Sequence, residues 1–133
     1  MNKKDGNITM TLTLTISLII LIIITIYMVN MILPFVWYEK LENIANKYVY
    51  VVERYGYLTE NEENELYKDL EEEGVDITNI ELDTPKEYLN YGTLFKFQIK
   101  YVLYQNYSII NNGIKNEKRS VVLNITKYSY SKI

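Results

Sequence analysis

The sequence of 133 residues contains no cysteine and no histidine, and it has only two prolines. Without cysteine there is neither a disulfide to stabilise a small domain nor a thiolate for nucleophilic chemistry. The absence of histidine removes the commonest general base and the commonest ligand of transition metals. These absences argue against a hydrolase or a zinc enzyme. We expect a non-enzymatic protein with no catalytic residue, no metal and no cofactor.

Charge is missing from a long stretch near the N-terminus. Residues 7–38 form a run of 32 without Asp, Glu, Lys, Arg or His. A helix needs about 20 apolar residues, at ~1.5 Å of rise each, to cross a hydrocarbon core of ~30 Å. The run therefore predicts a transmembrane segment with residues to spare. It leaves residues 39–133 for one small domain.

The flanks of this run predict its orientation. Lys3 and Lys4 precede it, whereas Glu39 and Glu42 follow it. By the positive-inside rule the N-terminus is cytoplasmic and the C-terminal domain is extracytoplasmic, in a single-pass protein of the cell membrane. A cleaved secretory signal has an apolar core of roughly 7–15 residues followed by a small-residue cleavage site. Because this run is longer and lacks such a site, we expect the span to persist.

Apolar spacing continues beyond the run. Apolar residues recur there at intervals of three and four: Trp37, Leu41, Ile44, Tyr48, Val51 or Val52, and Tyr55. This spacing is typical of an amphipathic helix, here over residues 39–55, so we predict one helix from Thr9 to Tyr55. Gly56 is the predicted C′ residue. Trp37 and Tyr38 are predicted to be interfacial anchors.

Two residues interrupt the apolar half, and both are candidate assembly residues. Pro34 cannot donate a hydrogen bond to the carbonyl of Asn30, so a bend is expected there. Asn30 could satisfy the freed backbone or hydrogen-bond to a neighbouring helix, and the bend could act as a joint. The alternative is that both residues lie near the bilayer surface, where neither costs much.

A second, acidic helix is predicted over residues 60–73. Thr59 and Glu62 form a capping-box pattern at its start, and Gly74 ends it. Its last carboxylates and the one that follows are Glu71, Glu72, Glu73 and Asp76. They lack EF-hand spacing, so we interpret them as a solvated charge run rather than a calcium site.

Beyond Gly74 the apolar period changes to alternation. It predicts strands over 75–83, with a bulge around Thr78 and Asn79, and over 94–105 and 118–128. Asn111-Asn112-Gly113 predicts a turn between the last two. Short connections favour antiparallel pairing. The predicted fold is α+β: a long N-terminal helix, a short helix and a three-stranded antiparallel meander.

Acidic and basic residues are unevenly distributed along the C-terminal domain. Residues 39–87 contain 15 acidic and 5 basic side chains, whereas residues 88–133 contain 1 acidic and 7 basic ones. Opposite surfaces of this kind attract and orient each other. Either the acidic helices pack near the sheet of their own chain, or the sheet of one subunit meets the helices of the next. We expect no nucleic-acid partner.

The N-terminal segment, Lys3-Lys4-Asp5-Gly6-Asn7-Ile8-Thr9-Met10-Thr11, resembles the start of TadE-like pseudopilins of tight-adherence secretion systems. The resemblance implies a leader of residues 1–6 that prepilin peptidase cuts after Gly6, which makes Asn7 the mature N-terminus. It also implies a pilin-like fold and assembly with other pilin-like subunits through the N-terminal helix. Residues 44–56 and 70–100 are similar to clostridial TadE-like proteins.

One position departs from the family. The fifth mature residue is Glu in the family and Thr11 here. A carboxylate in hydrocarbon is costly unless it is paired, so such a residue marks an assembly contact. Its replacement implies a minor pseudopilin of a pilus or secretion apparatus. The alternative function is a signal-anchored accessory protein whose extracytoplasmic domain binds a partner in a conjugation or other membrane complex.

Overall fold

The computed structural model describes residues 3–110 and 113–132, with all side chains in these ranges except those of 107–110 and 114. It contains helices α1 (Lys3–Tyr55) and α2 (Glu60–Glu72), a 3-10 turn (Ile77–Asn79), and strands β1 (Ile80–Asp83), β2 (Leu94–Ile110) and β3 (Ile114–Tyr130). The strands form one antiparallel sheet in the order β1-β2-β3. The predicted α+β fold is therefore confirmed.

The chain divides into two compact units, Met1–Leu33 and Pro34–Ile133, and helix α1 contributes to both. The helix begins six residues before the predicted Thr9, so residues 3–6 of the predicted leader are helical. No proline interrupts this stretch, and the Thr9 hydroxyl donates to the Asp5 carbonyl at 2.8 Å. The predicted end is correct. Gly56 has φ 85° and its N–H donates to the Val52 carbonyl at 2.7 Å, which is an αL cap.

Helix α2 has the local signals expected at both ends. The Thr59 hydroxyl accepts from the Glu62 N–H while the Glu62 carboxylate accepts from the Thr59 N–H, as in a capping box. At the other end, Gly74 has φ 85° and Val75 N–H donates to the Leu70 carbonyl at 3.0 Å. This Schellman motif ends the helix at Glu72, one residue earlier than predicted.

The predicted first strand, residues 75–83, is too long. Val75 belongs to the helix cap, and the Asp76 carboxylate accepts from both the N–H and the hydroxyl of Thr78, at 3.1 and 2.7 Å. That local pairing favours a 3-10 turn over an extended chain. The strand therefore covers only Ile80–Asp83, and the predicted bulge at Thr78 and Asn79 is wrong.

Strands β2 and β3 are each 17 residues long, which exceeds the predicted 94–105 and 118–128. Their pairing continues from Leu94↔Tyr130 to Ile110↔Ile114. The polar residues beyond position 105 show no alternation, so the cross-strand ladder rather than local pattern keeps them extended. Gly113 of the predicted turn has φ 128°, whereas Asn111 and Asn112 lie outside the described residues.

The core lies between the second half of α1, α2 and one face of the sheet. Its fully buried members are Leu41, Ala45, Tyr48, Val52, Leu66, Leu70, Phe97, Ile99 and Ile125. Val52 rather than Val51 faces this core, while Val51 packs at its margin. Tyr55, predicted to belong to the stripe, is 52% exposed because the buried stripe ends one turn earlier, at Val52.

Candidate functional site

The described part of the first unit, residues 3–33, is helical, and from Ile8 onwards large apolar side chains lie around its whole circumference. Its exposed large apolar residues are Ile8, Met10, Leu12, Leu14, Ile16, Leu18, Ile19, Ile20, Leu21, Ile22, Ile24, Tyr27, Met28, Val29, Met31, Ile32 and Leu33. A helix that is apolar on every side requires an apolar surrounding. By length and composition, α1 can cross a membrane.

Threonines in this unit hydrogen-bond to the helix that carries them. The hydroxyls of Thr9, Thr11, Thr13, Thr15 and Thr25 each donate to the carbonyl four residues earlier, at 2.8–2.9 Å. A hydroxyl satisfied in this way can lie in hydrocarbon without an unpaired donor. Each threonine therefore adds little width and no unsatisfied donor to the helix surface.

Thr11 lies in a shallow groove on one side of the helix. The groove is lined by two adjacent rows of side chains with four-residue spacing, a polar row of Asn7, Thr11 and Thr15 and an apolar row of Ile8, Leu12 and Ile16. Small residues four apart, here Thr11 and Thr15, allow a second helix to approach closely. The sequence reasoning singled out Asn7 and Thr11 but missed Thr15, which the four-residue spacing could have identified.

The other residues predicted for processing and assembly also lie inside α1. Gly6 and Asn7 are within its first two turns, and Pro34 is inside the continuous helical range. Among the described residues, the Asn30 side chain makes no hydrogen bond, which leaves its amide free for a partner. The bend at Pro34 and the role of Asn30 stay predictions.

The two predicted interfacial aromatics have different surroundings within the second unit. The Trp37 ring centroid lies 6.1 Å from that of Tyr101 on β2, and Lys40 Nζ is 4.9 Å from the Trp37 centroid. Tyr38 is exposed. Trp37 therefore packs against the sheet and defines the edge of the core at which the second unit begins. An additional role at the bilayer interface stays a prediction for both.

Acidic side chains of α1 join the helix to the sheet. Lys127 Nζ lies 2.6 Å from the Glu42 carboxylate, and Lys132 Nζ lies 2.6 Å from that of Glu53, which also accepts from the Ser129 hydroxyl. The hydrogen bond from Lys132, followed by that from Ser129, lowers the pKa of Glu53. These contacts connect positions 76 to 85 residues apart in the chain.

A second charged cluster joins α1 to α2. The Asp69 carboxylate accepts from Lys47 Nζ at 2.6 Å and from the Tyr48 hydroxyl at 2.8 Å. The hydrogen bond from Lys47 and then that from Tyr48 lower the pKa of Asp69. Burial, and next the hydrogen bond to Asp69, raise the pKa of Tyr48. The cluster therefore fixes the crossing of the two helices.

The acidic and basic parts of the domain meet within one chain. The cross-pairs are Lys96–Asp83, Lys100–Glu81, Lys127–Glu42 and Lys132–Glu53. Of the two interpretations of the divided charge, packing within the same chain is the one that the structure contains. In residues 3–110 and 113–132, no three Asp or Glu side chains converge in a manner that could hold a metal ion.

Comparisons of the chain with protein-family models, with curated proteins and with solved structures each gave no match.

Proposed function

We propose that this protein is a membrane-anchored, non-enzymatic structural subunit, a minor TadE-like pseudopilin of a pilus or secretion apparatus. One observation carries the proposal: a single helix is apolar on all sides over its first unit and forms one side of a protein core over its second. That division suits a subunit held in the bilayer by one half of its helix and folded outside it around the other. The N-terminus is cytoplasmic in this proposal.

Assembly proceeds through the groove of Asn7, Thr11 and Thr15. Lipid removes the hydrophobic drive between helices, so close approach and dispersion must stabilise their contact. The groove offers that approach without a charged side chain. Thr11, in place of the glutamate of the resembling family, forms no charge pair with a neighbour, which suits a subunit present in few copies.

Crosslinking tests the assembly contact. A photoreactive side chain at position 15 reports on the groove, and one at position 13 is the matched control, because two residues of helix differ by about 200° in direction. In the native host we expect products with pilin-like helices from position 15 and few from position 13. Equal products from both positions, or none from either, would instead support a plain signal-anchored accessory protein.

Processing is tested separately by intact mass. Co-expression with a prepilin peptidase should yield a protein that starts at Asn7. The Gly6→Leu variant should keep its leader, whereas Thr9→Leu, a comparable change three residues away, should be cut. A retained Met1 in peptidase-containing cells would contradict cleavage at Gly6 and leave the membrane span unaffected.

A further inference from the structure

The sheet has two faces, and the helices pack against one of them. The core residues of β2 and β3 all have odd numbers, from Phe95 to Leu103 and at Leu123 and Ile125. Because side chains alternate along a strand, the even-numbered residues lie on the opposite face. We call that face, over residues 94–104 and 120–130 and with Glu81 and Asp83 of β1, the outer face. Every residue of the outer face is exposed or half-buried.

The outer face is apolar at its two ends and polar in the middle. Leu94 pairs with Tyr130 at one end, beside Tyr128, and these three side chains are 55%, 58% and 67% exposed. At the other end Val102 pairs with Val122. The residues between the two ends are polar: Gln98, Lys100, Asn124 and Thr126. Protein–protein interfaces have the reverse arrangement, an apolar centre inside a polar rim.

The charges of the outer face cancel one another. Lys96 Nζ lies 2.6 Å from the Asp83 carboxylate, and Lys100 Nζ lies 3.6 Å from that of Glu81. These four are the charged residues of the outer face, so its net charge is 2 − 2 = 0. A surface without net charge gives an acidic polymer or an anionic lipid no electrostatic advantage. The outer face is therefore complementary to a neutral partner.

The amides in the middle of the outer face present a donor beside an acceptor. Asn124 Oδ1 accepts from Gln98 Nε2 at 2.7 Å and from Thr126 Oγ at 3.2 Å. Among the described residues, neither Asn124 Nδ2 nor Gln98 Oε1 has a hydrogen-bond partner. Neighbouring hydroxyl groups match this pair, because each hydroxyl can both donate and accept. Next to the amides is a depression of about 260 Å³, lined by Glu81, Leu82, Asp83, Gln98 and Lys100.

We infer that the outer face binds a neutral polysaccharide whose sugar rings are joined through equatorial oxygens into a flat ribbon. Each ring of such a chain has an apolar C–H face, which can stack on the exposed rings of Tyr128 and Tyr130. Its hydroxyls then meet the amides in the middle. The eight residues from Leu94 to Val102 extend about 26 Å, at ~3.3 Å per residue, so one chain can contact both.

The choice of occupant depends on the polarity and charge of the outer face. A protein partner would place its apolar centre against the amides, and an acidic polymer would find no net positive charge. A neutral sugar ribbon has apolar and hydrogen-bonding groups on every ring, so it satisfies both the ends and the middle. The inference does not depend on assembly with pilin-like subunits.

Calorimetric titration of the full chain tests the binding. The chain is held in phosphatidylcholine nanodiscs, because maltoside detergents carry sugar headgroups of their own. The probes are cellohexaose and chitohexaose, which are neutral flat ribbons. Hexamannuronate is the acidic comparison, and maltohexaose is neutral but curved. We expect both neutral ribbons to bind at millimolar concentration or below, and more tightly than the other two.

Paired variants locate the contact. At roughly three- to tenfold per aromatic ring, Tyr128→Ala with Tyr130→Ala should weaken binding of both neutral ribbons about 10- to 100-fold. The matched control is Tyr50→Ala with Tyr55→Ala, which removes rings that are 60% and 52% exposed on α1 and should leave the affinity unchanged. Asn124→Leu removes the amide donor and should weaken binding about fivefold. Circular dichroism checks that each variant folds.

Three results would overturn the inference. The first is no binding of either neutral ribbon at millimolar concentration, including the case in which the tyrosines instead mediate contact with a protein. The second is unchanged affinity in the folded double variant of Tyr128 and Tyr130. The third is binding of hexamannuronate as tight as that of cellohexaose, which would show recognition of charge. Binding of the neutral ribbons without crosslinks to pilin-like helices would support this inference and contradict the proposed assembly.

Discussion

The two parts of helix α1 have the same backbone and opposite relationships to their surroundings. Within residues 3–33 no described residue is buried, although most are large and apolar. Within the part that begins at Pro34, a stripe including Leu41, Ala45 and Val52 is fully buried, and charged residues occupy the other side. The difference shows that the side chains of one continuous helix can suit two different surroundings. The first part is apolar on every side and is long enough to cross a membrane, whereas the protein's own sheet covers the second.

The largest expected effect comes from emptying the core of the second part. Phe97, fully buried on β2, should cost roughly 3–5 kcal/mol of unfolding free energy when replaced by Ala, because transfer and cavity terms add. Tyr128→Ala removes a ring that is 67% exposed and should cost less than about 0.5 kcal/mol. Urea unfolding of the full chain in detergent, followed by Trp37 fluorescence, measures both. Equal losses would show that the sheet does not cover this part of the helix.

The next effect concerns the first part of the helix. Arg in place of Ile22, near the middle of the charge-free run, should disfavour membrane insertion by about 2.5–3.5 kcal/mol. Tyr50→Arg places the same charge on the exposed side of the second part, where Tyr50 is 60% exposed, and should be harmless. Resistance to alkaline extraction measures insertion. If both variants resist extraction equally, the two parts do not differ in their surroundings.

A smaller effect is expected from acid. The pKa of Glu53 is lowered in the folded chain from its ordinary 4.5, so its stabilising contribution is complete above that value. It is lost as the pH falls through the lower folded pKa, because the unfolded chain binds the proton more readily. Glu53→Gln should cost about 1 kcal/mol at neutral pH and flatten the acid dependence of stability.

The matched control for this prediction is Glu87→Gln, since Glu87 is exposed and forms no ion pair with a described residue. It should leave both the stability and its acid slope unchanged. Urea midpoints measured across the acidic range give the slope for each variant. A steep slope retained in Glu53→Gln would assign the acid sensitivity to another carboxylate, with Asp69 the first candidate because its pKa is also lowered.

The smallest effect is expected from Gln105, which lies where the buried part of β2 ends. Both amide atoms of the Gln105 side chain are buried and have no hydrogen-bond partner among the described residues, and a buried unsatisfied group is costly. Gln105→Leu should therefore stabilise the domain by about 1 kcal/mol. Gln98→Leu, on the other face of the same strand, removes a 2.7 Å hydrogen bond to Asn124 and should give no gain. Thermal melts compare the two, and a destabilised Gln105→Leu would show that the amide has a partner.

Predictions from the sequence succeeded where a few neighbouring residues decide the structure. Gly56, the capping box at Thr59 and the stop at Gly74 were all correct, because each acts within about one turn of helix. The 3-10 turn after Asp76 is equally local, but an acid followed by Thr78 is a weaker signal than the apolar alternation around it. Strands β2 and β3 are longer than predicted because pairing, rather than a local pattern, keeps their polar ends extended.

For the candidate site, too, local features could be predicted from the sequence and long-range contacts could not. The charge-free run and the four-residue spacing of Asn7, Thr11 and Thr15 can be found by counting along the chain. The packing of Trp37 on Tyr101 could not, because these residues are 64 positions apart and their contact depends on how the sheet lies on the helix.

The sequence by itself determined that one helix has an apolar half and an amphipathic half, because a period of 3.6 residues is a local property. Only the tertiary structure decided which acid meets which base. Glu42 and Lys127 are 85 residues apart, and the chain offers many other pairs of equal chemistry. Burial of the core places β3 against α1 and so selects this pair. The same packing leaves Lys115 and Lys118 on β3 without an ion pair to a described residue.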